Sequence, residues 1–206
     1  PTNERLKSYQ TEFNISDRFF IGQTIRDIVT CQEPMVTDTG IDKGSPKAAA
    51  EAVWSIHHFA KVGVEYAIVE TLLTLVVQNE SHVYVSRVLL ELTRLEPKLF
   101  ATSIAAAMNT LFEDYMPSLS IAARSNLSRW FAFHLIHTDY QWPASYWTLW
   151  AEYKSDSRTT FVLETLQILL ENVNSPATII KECLPQDSVW VDQLLKLRDT
   201  PAVPDA

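Results

Sequence analysis

Five histidines, two cysteines and two glutamates set in an apolar run are the side chains here suited to acid-base, nucleophilic or metal chemistry. Their spacing argues against all three. His57 and His58 are adjacent, so on a helix they point to different faces and make poor joint ligands. His134 and His137 stand one helical turn apart and could meet a metal. No acidic or cysteine ligand lies nearby at that spacing, which leaves a packed or surface histidine pair as the expectation. Glu65 and Glu70 could form an acid pair, but five residues apart on a helix they diverge by about 140°. Each is expected at a rim or beside a basic neighbour. No His-Glu-x-x-His, Cys-x-x-Cys or calcium-loop pattern occurs, and no serine carries nucleophile-elbow glycines. Cys31 and Cys183 form neither a ligand cluster nor a disulfide scaffold and read as reduced thiols. The sequence predicts no catalytic residue, no cofactor and no metal ligands.

A second chemistry is stacking. Between Trp130 and Trp150 lie eight of the chain's 22 Phe, Trp and Tyr residues, including four of its six tryptophans. Tyr140, Trp142, Tyr146, Trp147 and Trp150 could stack bases or a methylated purine. The competing reading is packing, since Trp147 and Trp150 share an i,i+3 face and Tyr146 and Trp150 an i,i+4 face, which suits a groove between helices. Arg124, Arg129, Lys154 and Arg158 are the only cations near this stretch, a weak electrostatic hold on RNA. Trp130, Phe131, His134, Trp147 and Trp150 are therefore assigned to the structural core. Tyr140, Gln141 and Trp142, at the edge, are the candidate partner contacts.

Composition sets the frame for these residues. Apolar residues make up 47% and charged residues 20%, as in globular domains. The net charge of −8 opposes unaided attraction to phosphate backbones or anionic membranes. Four glycines leave little material for a phosphate-cradling loop or a hairpin-rich fold. The longest apolar run, Val62 to Val77, carries Glu65 and Glu70, which makes a membrane span improbable.

The elements that must position the aromatics follow a 3.6-residue rhythm. Ser16 or Asp17 is expected to cap a helix reaching about Thr30, with Phe20, Ile21, Thr24, Ile25 and Ile28 on or near one stripe. Glu33 to Ser45 reads as a loop. Ser45-Pro46 is a cap followed by an N1 proline, opening a helix over Ala48 to Ala60. Val62 to Gln78 is almost wholly apolar, as in a helix buried on more than one side. Ser81 is expected to cap the next helix, and Glu96-Pro97 opens another through Tyr115. Ser118 or Ser120 starts the helix of Trp130, which Trp142-Pro143 stops. A short helix spans Ser145 to Tyr153, Asp156 or Ser157 caps a long one, and Ser175-Pro176 and Asp187 begin the last two. About ten helices with short connections predict an all-α stack of antiparallel helix pairs, a right-handed solenoid or curved bundle. One domain is expected over 1–198, with a flexible tail over 199–206.

The segment SNLSRWFAFHLIHTDYQWPASYW from Ser125 to Trp147 resembles the middle MIF4G-like helical domain of the large subunit of the nuclear cap-binding complex. The Leu89-Leu90-Glu91-Leu92 helix, Leu95-Glu96-Pro97, the Trp130-Phe131 and His134-Leu135 pairs, Tyr140-Gln141-Trp142 and Phe161-Val162-Leu163 carry the likeness. It continues through Ile179 to Pro185. A departure is Pro143-Ala144-Ser145, which intervenes before Tyr146-Trp147. These are helix-packing motifs, and what they imply is a HEAT-like, non-enzymatic scaffold. The resemblance further implies an RRM-type small subunit as partner, RNA processing or export factors as others, and capped RNA met only indirectly. It implies a nuclear protein that shuttles to the cytoplasm, and a domain of a longer protein or a divergent relative.

Two other classes fit the helix pattern: a protein-binding scaffold of the initiation or decay type that recruits a helicase, and a helical hydrolase or lyase in which Glu65, His57 or His134 converge. The core assignment is directly testable. Trp130→Ala should cost about 3–5 kcal/mol in denaturant unfolding, and a markedly smaller loss would contradict it.

Overall fold

The computed structural model describes residues 2–32, 35–37, 40–42, 44–60, 62–78, 82–153, 156–173, 176–185 and 188–199. They form eleven α-helices: α1 Thr2–Glu12, α2 Ile15–Gln32, α3 Pro46–Trp54, α4 Val64–Val77, α5 His82–Leu95, α6 Pro97–Thr110, α7 Ile121–His137, α8 Ala144–Trp150, α9 Ser157–Asn172, α10 Pro176–Glu182 and α11 Val189–Asp199. The fold is all-α, as predicted. One departure is a small antiparallel hairpin, β1 Met35–Thr37 with β2 Gly40–Asp42, inside the segment read as a loop. Val36 pairs with Ile41 in its register. No helix among the described residues is long and apolar enough to cross a membrane. The expected caps Ser81, Ser175 and Asp187, and the tail after Asp199, lie outside the described residues.

The chain divides into two compact units, Pro1–Thr110 and Leu111–Ala206. In the first, α4 is the central element. Ten of its fourteen residues are buried, and it packs against α1, α2, α5 and α6. That environment follows from its all-round apolarity, because a helix without a polar face must be covered on several sides. Gly63 enters α4 with φ 95°, a left-handed conformation that glycine adopts without a Cβ penalty. The short side chains Ala49 and Ala50 let α3 lie close to α5, where Val85, Val88, Leu89 and Leu92 are fully buried. Each such aliphatic side chain contributes roughly 1.5–3 kcal/mol of burial. Glu65 is 1% exposed and so sits in the interior instead of at the rim.

Several boundaries move. The helix α1 was not anticipated, because its apolar positions Leu6 and Tyr9, with Phe13 just past its end, are too few for a strong stripe. Asn14, ahead of the predicted caps, starts α2: its Oδ1 accepts from Asp17 N–H at 2.9 Å, and Asp17 Oδ2 accepts from Asn14 N–H at 3.4 Å. This reciprocal pair is a capping box with Asp in the third position. Ile25 and Val29 are the buried side of α2, whereas Phe20 is 68% exposed. Ser45 caps α3 through Ala48 N–H, with Pro46 in the first turn as expected. The helix then tightens to a 3₁₀ turn over Ser55–His58.

In the second unit the helix predicted through Tyr115 gives way to a π-helical turn over Leu111–Tyr115. A π turn leaves carbonyls poorly satisfied along its axis, and Arg158 supplies donors. Its Nε donates to the Phe112 carbonyl at 2.8 Å and its Nη2 to that of Glu113 at 2.5 Å, while Nη1 pairs with Asp156 at 2.7 Å. The guanidinium lies 4.5 Å over the Tyr153 ring. Asp156 also caps α9, accepting from Arg158 N–H at 2.8 Å and Thr159 N–H at 3.4 Å. Burial opposes ionisation of Asp156, but the hydrogen bonds from Arg158 and Thr159 prevail and hold its carboxyl below the usual range. Ser120 caps α7 through Ala123 N–H. Ser128, fully buried, brings α7 against α9 and donates toward the Arg124 and Phe161 carbonyls. The last helix belongs to this unit: Trp190 is 2% exposed and its Nε1–H donates to the Trp147 carbonyl at 2.9 Å.

Arg158→Met should destabilise the protein by about 2–4 kcal/mol in urea unfolding followed by tryptophan fluorescence, because two carbonyls and a carboxylate lose charged donors. A loss below about 1 kcal/mol would show that the π turn holds without this bracket. His134 is 4% exposed and stacks on Trp130 with centroids 5.4 Å apart. Burial, aided by His137, lowers its pKa to about 4. The fold favours the neutral ring, so this contribution is complete above the ordinary pKa of about 6.5 and is lost as pH falls toward 4. Relative to His134→Gln, the native chain should lose on the order of 3 kcal/mol between pH 7 and pH 4, and parallel stability curves would refute the assignment.

Candidate partner-docking surface

The aromatic stretch becomes a closed cluster in the second unit. Trp130, Phe131, Trp147 and Trp150 have no exposed surface, and His134 is buried beside them. Trp150 sits at the centre. Phe112 stacks on it at 4.6 Å and 17°, Phe131 and Phe161 meet it edge-on, and Trp147, Trp142 and Tyr146 surround it within 6.3 Å. Offset and edge-on rings are the favoured arrangements of their quadrupoles. The helix periodicity explains the geometry: Phe131 looks inward from α7, and Trp147 and Trp150 occupy one face of α8.

The sequence-predicted edge lies where α7 turns toward α8. Thr138 N–H and Tyr140 N–H both donate to the Leu135 carbonyl, at 3.3 and 2.8 Å, and Gln141 N–H returns to the Thr138 carbonyl at 3.0 Å. Closing this reversal puts Asp139 at φ 51° and Tyr140 at φ 58°. Aspartate tolerates the left-handed region better than most residues, but an aromatic residue there is an outlier, at a cost on the order of 1–3 kcal/mol. No glycine relieves the turn. Such strain is a mark of places where a particular side-chain placement is needed.

The three edge residues are not equivalent. Gln141 is exposed and Tyr140 half-exposed. The Tyr140 phenol is shifted upward by burial first, then by the neighbouring Cys183 and Asp139. Trp142 is half-buried: its ring meets Phe131 edge-on at 4.8 Å and lies 5.6 Å from Tyr146. Its indole is thus tied into the cluster. The outward-facing chemistry is an amide and a phenol.

The other candidate groups do not assemble. His134 is enclosed, while His137 is exposed and its Nδ1 lies 2.8 Å from the Phe133 carbonyl. His57 and His58 lie in the 3₁₀ turn with ring centroids 3.9 Å apart, nearer than side chains on different helix faces are expected to be. His57 Nδ1 is engaged at 2.5 Å with the Trp54 carbonyl. Among the described residues no three His, Cys, Asp or Glu side chains are grouped to hold a metal ion. Glu70 is exposed and accepts from the Tyr9 hydroxyl. Cys183 is buried, which pushes its thiol up to about 12, and Cys31 is exposed. Sequence reasoning missed the exposed apolar side of α2, where Ile15, Phe19 and Phe20 are 88%, 65% and 68% exposed. No local signal marked it, since an adjacent apolar pair on a helix can equally be buried, as Trp130-Phe131 is here.

Among curated proteins none matches the chain. The family model described as MIF4G like matches residues 10–186. With that match covering most of its length, the chain belongs to the MIF4G-like family of helical, non-catalytic protein-interaction domains.

Proposed function

We propose that this chain acts, as one domain over residues 1–198, within the large subunit of a nuclear cap-binding complex. There it helps to hold an RRM-type small subunit that grips the mRNA 5′ cap. The observation that carries this reading is the Ser125–Trp147 segment, whose order of packing aromatics resembles that of the middle domain of such subunits. Membership of a family of interaction scaffolds supports it. The acidic charge supports it as well, because a chain of net charge −8 meets RNA best through a partner. The protein acts in the nucleus, shuttles to the cytoplasm, and meets RNA processing or export factors as further partners.

The partner contact is the Tyr140-Gln141-Trp142 edge. Tyr140 contributes a rigid amphipathic ring and Gln141 a two-sided amide, while Trp142 fixes their base in the aromatic cluster. Titrating the chain by calorimetry with an RRM-type small cap-binding subunit should give saturable binding. Gln141→Arg, on an exposed side chain that leaves folding intact, should weaken it by about tenfold or more. Absence of binding, even with the chain joined to the further helical domains of a large subunit, would reject the reading. Stoichiometric co-purification of a cytoplasmic helicase in place of the small subunit would do the same.

A further inference from the structure

A groove in the first unit carries a second docking surface. It runs between α2 and α4, with Tyr9 of α1 at one end, and encloses a volume of about 350 Å³. Its α2 wall is Ile15, Arg18, Phe19, Gly22, Gln23 and Arg26, a helical stripe at i, i+3, i+4, i+7, i+8 and i+11. The α4 wall is Ala67, Glu70, Thr71 and Thr74, a stripe of the same period. Gly22 sets the depth: a Cβ there would lie 3.3 Å from Thr71 Oγ1, so a larger residue would fill the floor or push the helices apart.

Two features show what the groove suits. Ile15 and Phe19, one turn apart on its lip, are 88% and 65% exposed, and Phe20 meets Phe19 edge-on at 5.9 Å. This apolar ridge is unpartnered. Arg18 is held 4.4 Å over the Tyr9 ring, and its Nε is buried with no hydrogen-bond partner. The nearby carboxylate, Glu70, accepts from the Tyr9 hydroxyl. Arg26 stands two turns further along α2, about 12 Å away, and reaches Gln78 Oε1 at 3.5 Å. In an acidic chain the groove is thus an apolar slot with a basic wall.

We propose that this groove docks a short acidic-apolar segment of a partner protein, whose aliphatic or aromatic anchors pack on Ile15 and Phe19 while a carboxylate pairs with Arg18. A second carboxylate two helical turns away faces Arg26. Burying the anchors is favourable in the helix-in-groove manner, and the carboxylate completes a guanidinium already positioned by the Tyr9 ring. Other occupants fit less well. A second copy paired through a two-fold axis sets the same arginines against each other. A nucleic acid strand finds two cations and an acidic neighbour, too little for backbone binding. The inference is independent of the cap-binding reading.

The probe is a pair of synthetic amphipathic helical peptides with Leu and Phe anchors one turn apart. One carries glutamates two turns apart on the flank, the other lysines in the same places. By fluorescence anisotropy the glutamate peptide should bind at least about tenfold more tightly. The double variant Arg18→Glu, Arg26→Glu should invert the order. Phe19→Ser should weaken the glutamate peptide by about tenfold with an unchanged melting temperature, since Phe19 is mostly exposed. Equal binding of both peptides, no binding, or full binding to the Phe19→Ser variant would overturn the proposal. So would a dimer in sedimentation that Phe19→Ser dissolves, because the occupant would then be a second copy.

Discussion

The ring contacts of Trp150 constrain the second unit more than any other interaction. Phe112 comes from the π turn, Phe131 from α7, Trp147 from α8 itself and Phe161 from α9, and all four converge on one indole. A cluster of this size fixes helix positions by shape, because flat rings at 4.6–6.1 Å tolerate little sliding before contact is lost. Hydrogen bonds do little of the holding: the indole N–H groups of Trp130, Trp142, Trp147 and Trp150 are buried without a partner. The one indole in this unit that makes such a bond, Trp190 to the Trp147 carbonyl, ties α11 to the back of α8. The π turn is a consequence of the same packing. Carrying Phe112 onto Trp150 requires an extra residue in the turn, and Arg158 satisfies the carbonyls that the irregularity displaces.

Much of this was legible from residue spacing. The i,i+3 relation of Trp147 and Trp150 placed both on one face of α8, and both are fully buried. Ser45-Pro46 located the start of α3, and the unbroken apolarity of α4 foretold a helix covered on several sides. What escaped was irregular or long-range. The π turn depends on a ring arriving from α8 and a guanidinium from α9, neither of which local periodicity contains. The helix α1 is mostly polar, and its burial of Tyr9 depends on α4, far along the chain. The hairpin of β1 and β2 lacks alternating apolar residues, so no period-two signal marked it. Phe20 falls outside the buried side of α2, which is turned by about one position from the expected stripe and is defined by Ile25 and Val29.

The candidate edge shows the same division. Its position, just outside the aromatic block and before Pro143, could be read from the sequence. Its strain could not, because the consecutive left-handed residues Asp139 and Tyr140 appear only once the chain has to reverse between α7 and α8 without glycine. Scarcity of glycine argued early against phosphate loops. It also forces an aromatic residue into a conformation that glycine would otherwise occupy.

That substitution bears on where recognition can happen. A closed cluster of rings is a poor ligand site, since every face is already in contact and opening it would forfeit the packing that defines the unit. A partner can therefore meet only its rim. The rim is built from side chains whose backbones leave helical geometry: Tyr140, at positive φ, is half-exposed, and Gln141 is exposed next to it. The groove between α2 and α4 works in the opposite way, with regular helices and a glycine floor that leaves apolar side chains uncovered. As proposed docking surfaces the two differ in kind, the first a strained turn on a rigid core and the second a slot between straight helices. Under the proposed roles the difference follows from physics, because a preorganised edge suits a preformed surface whereas a groove can order a chain as it binds.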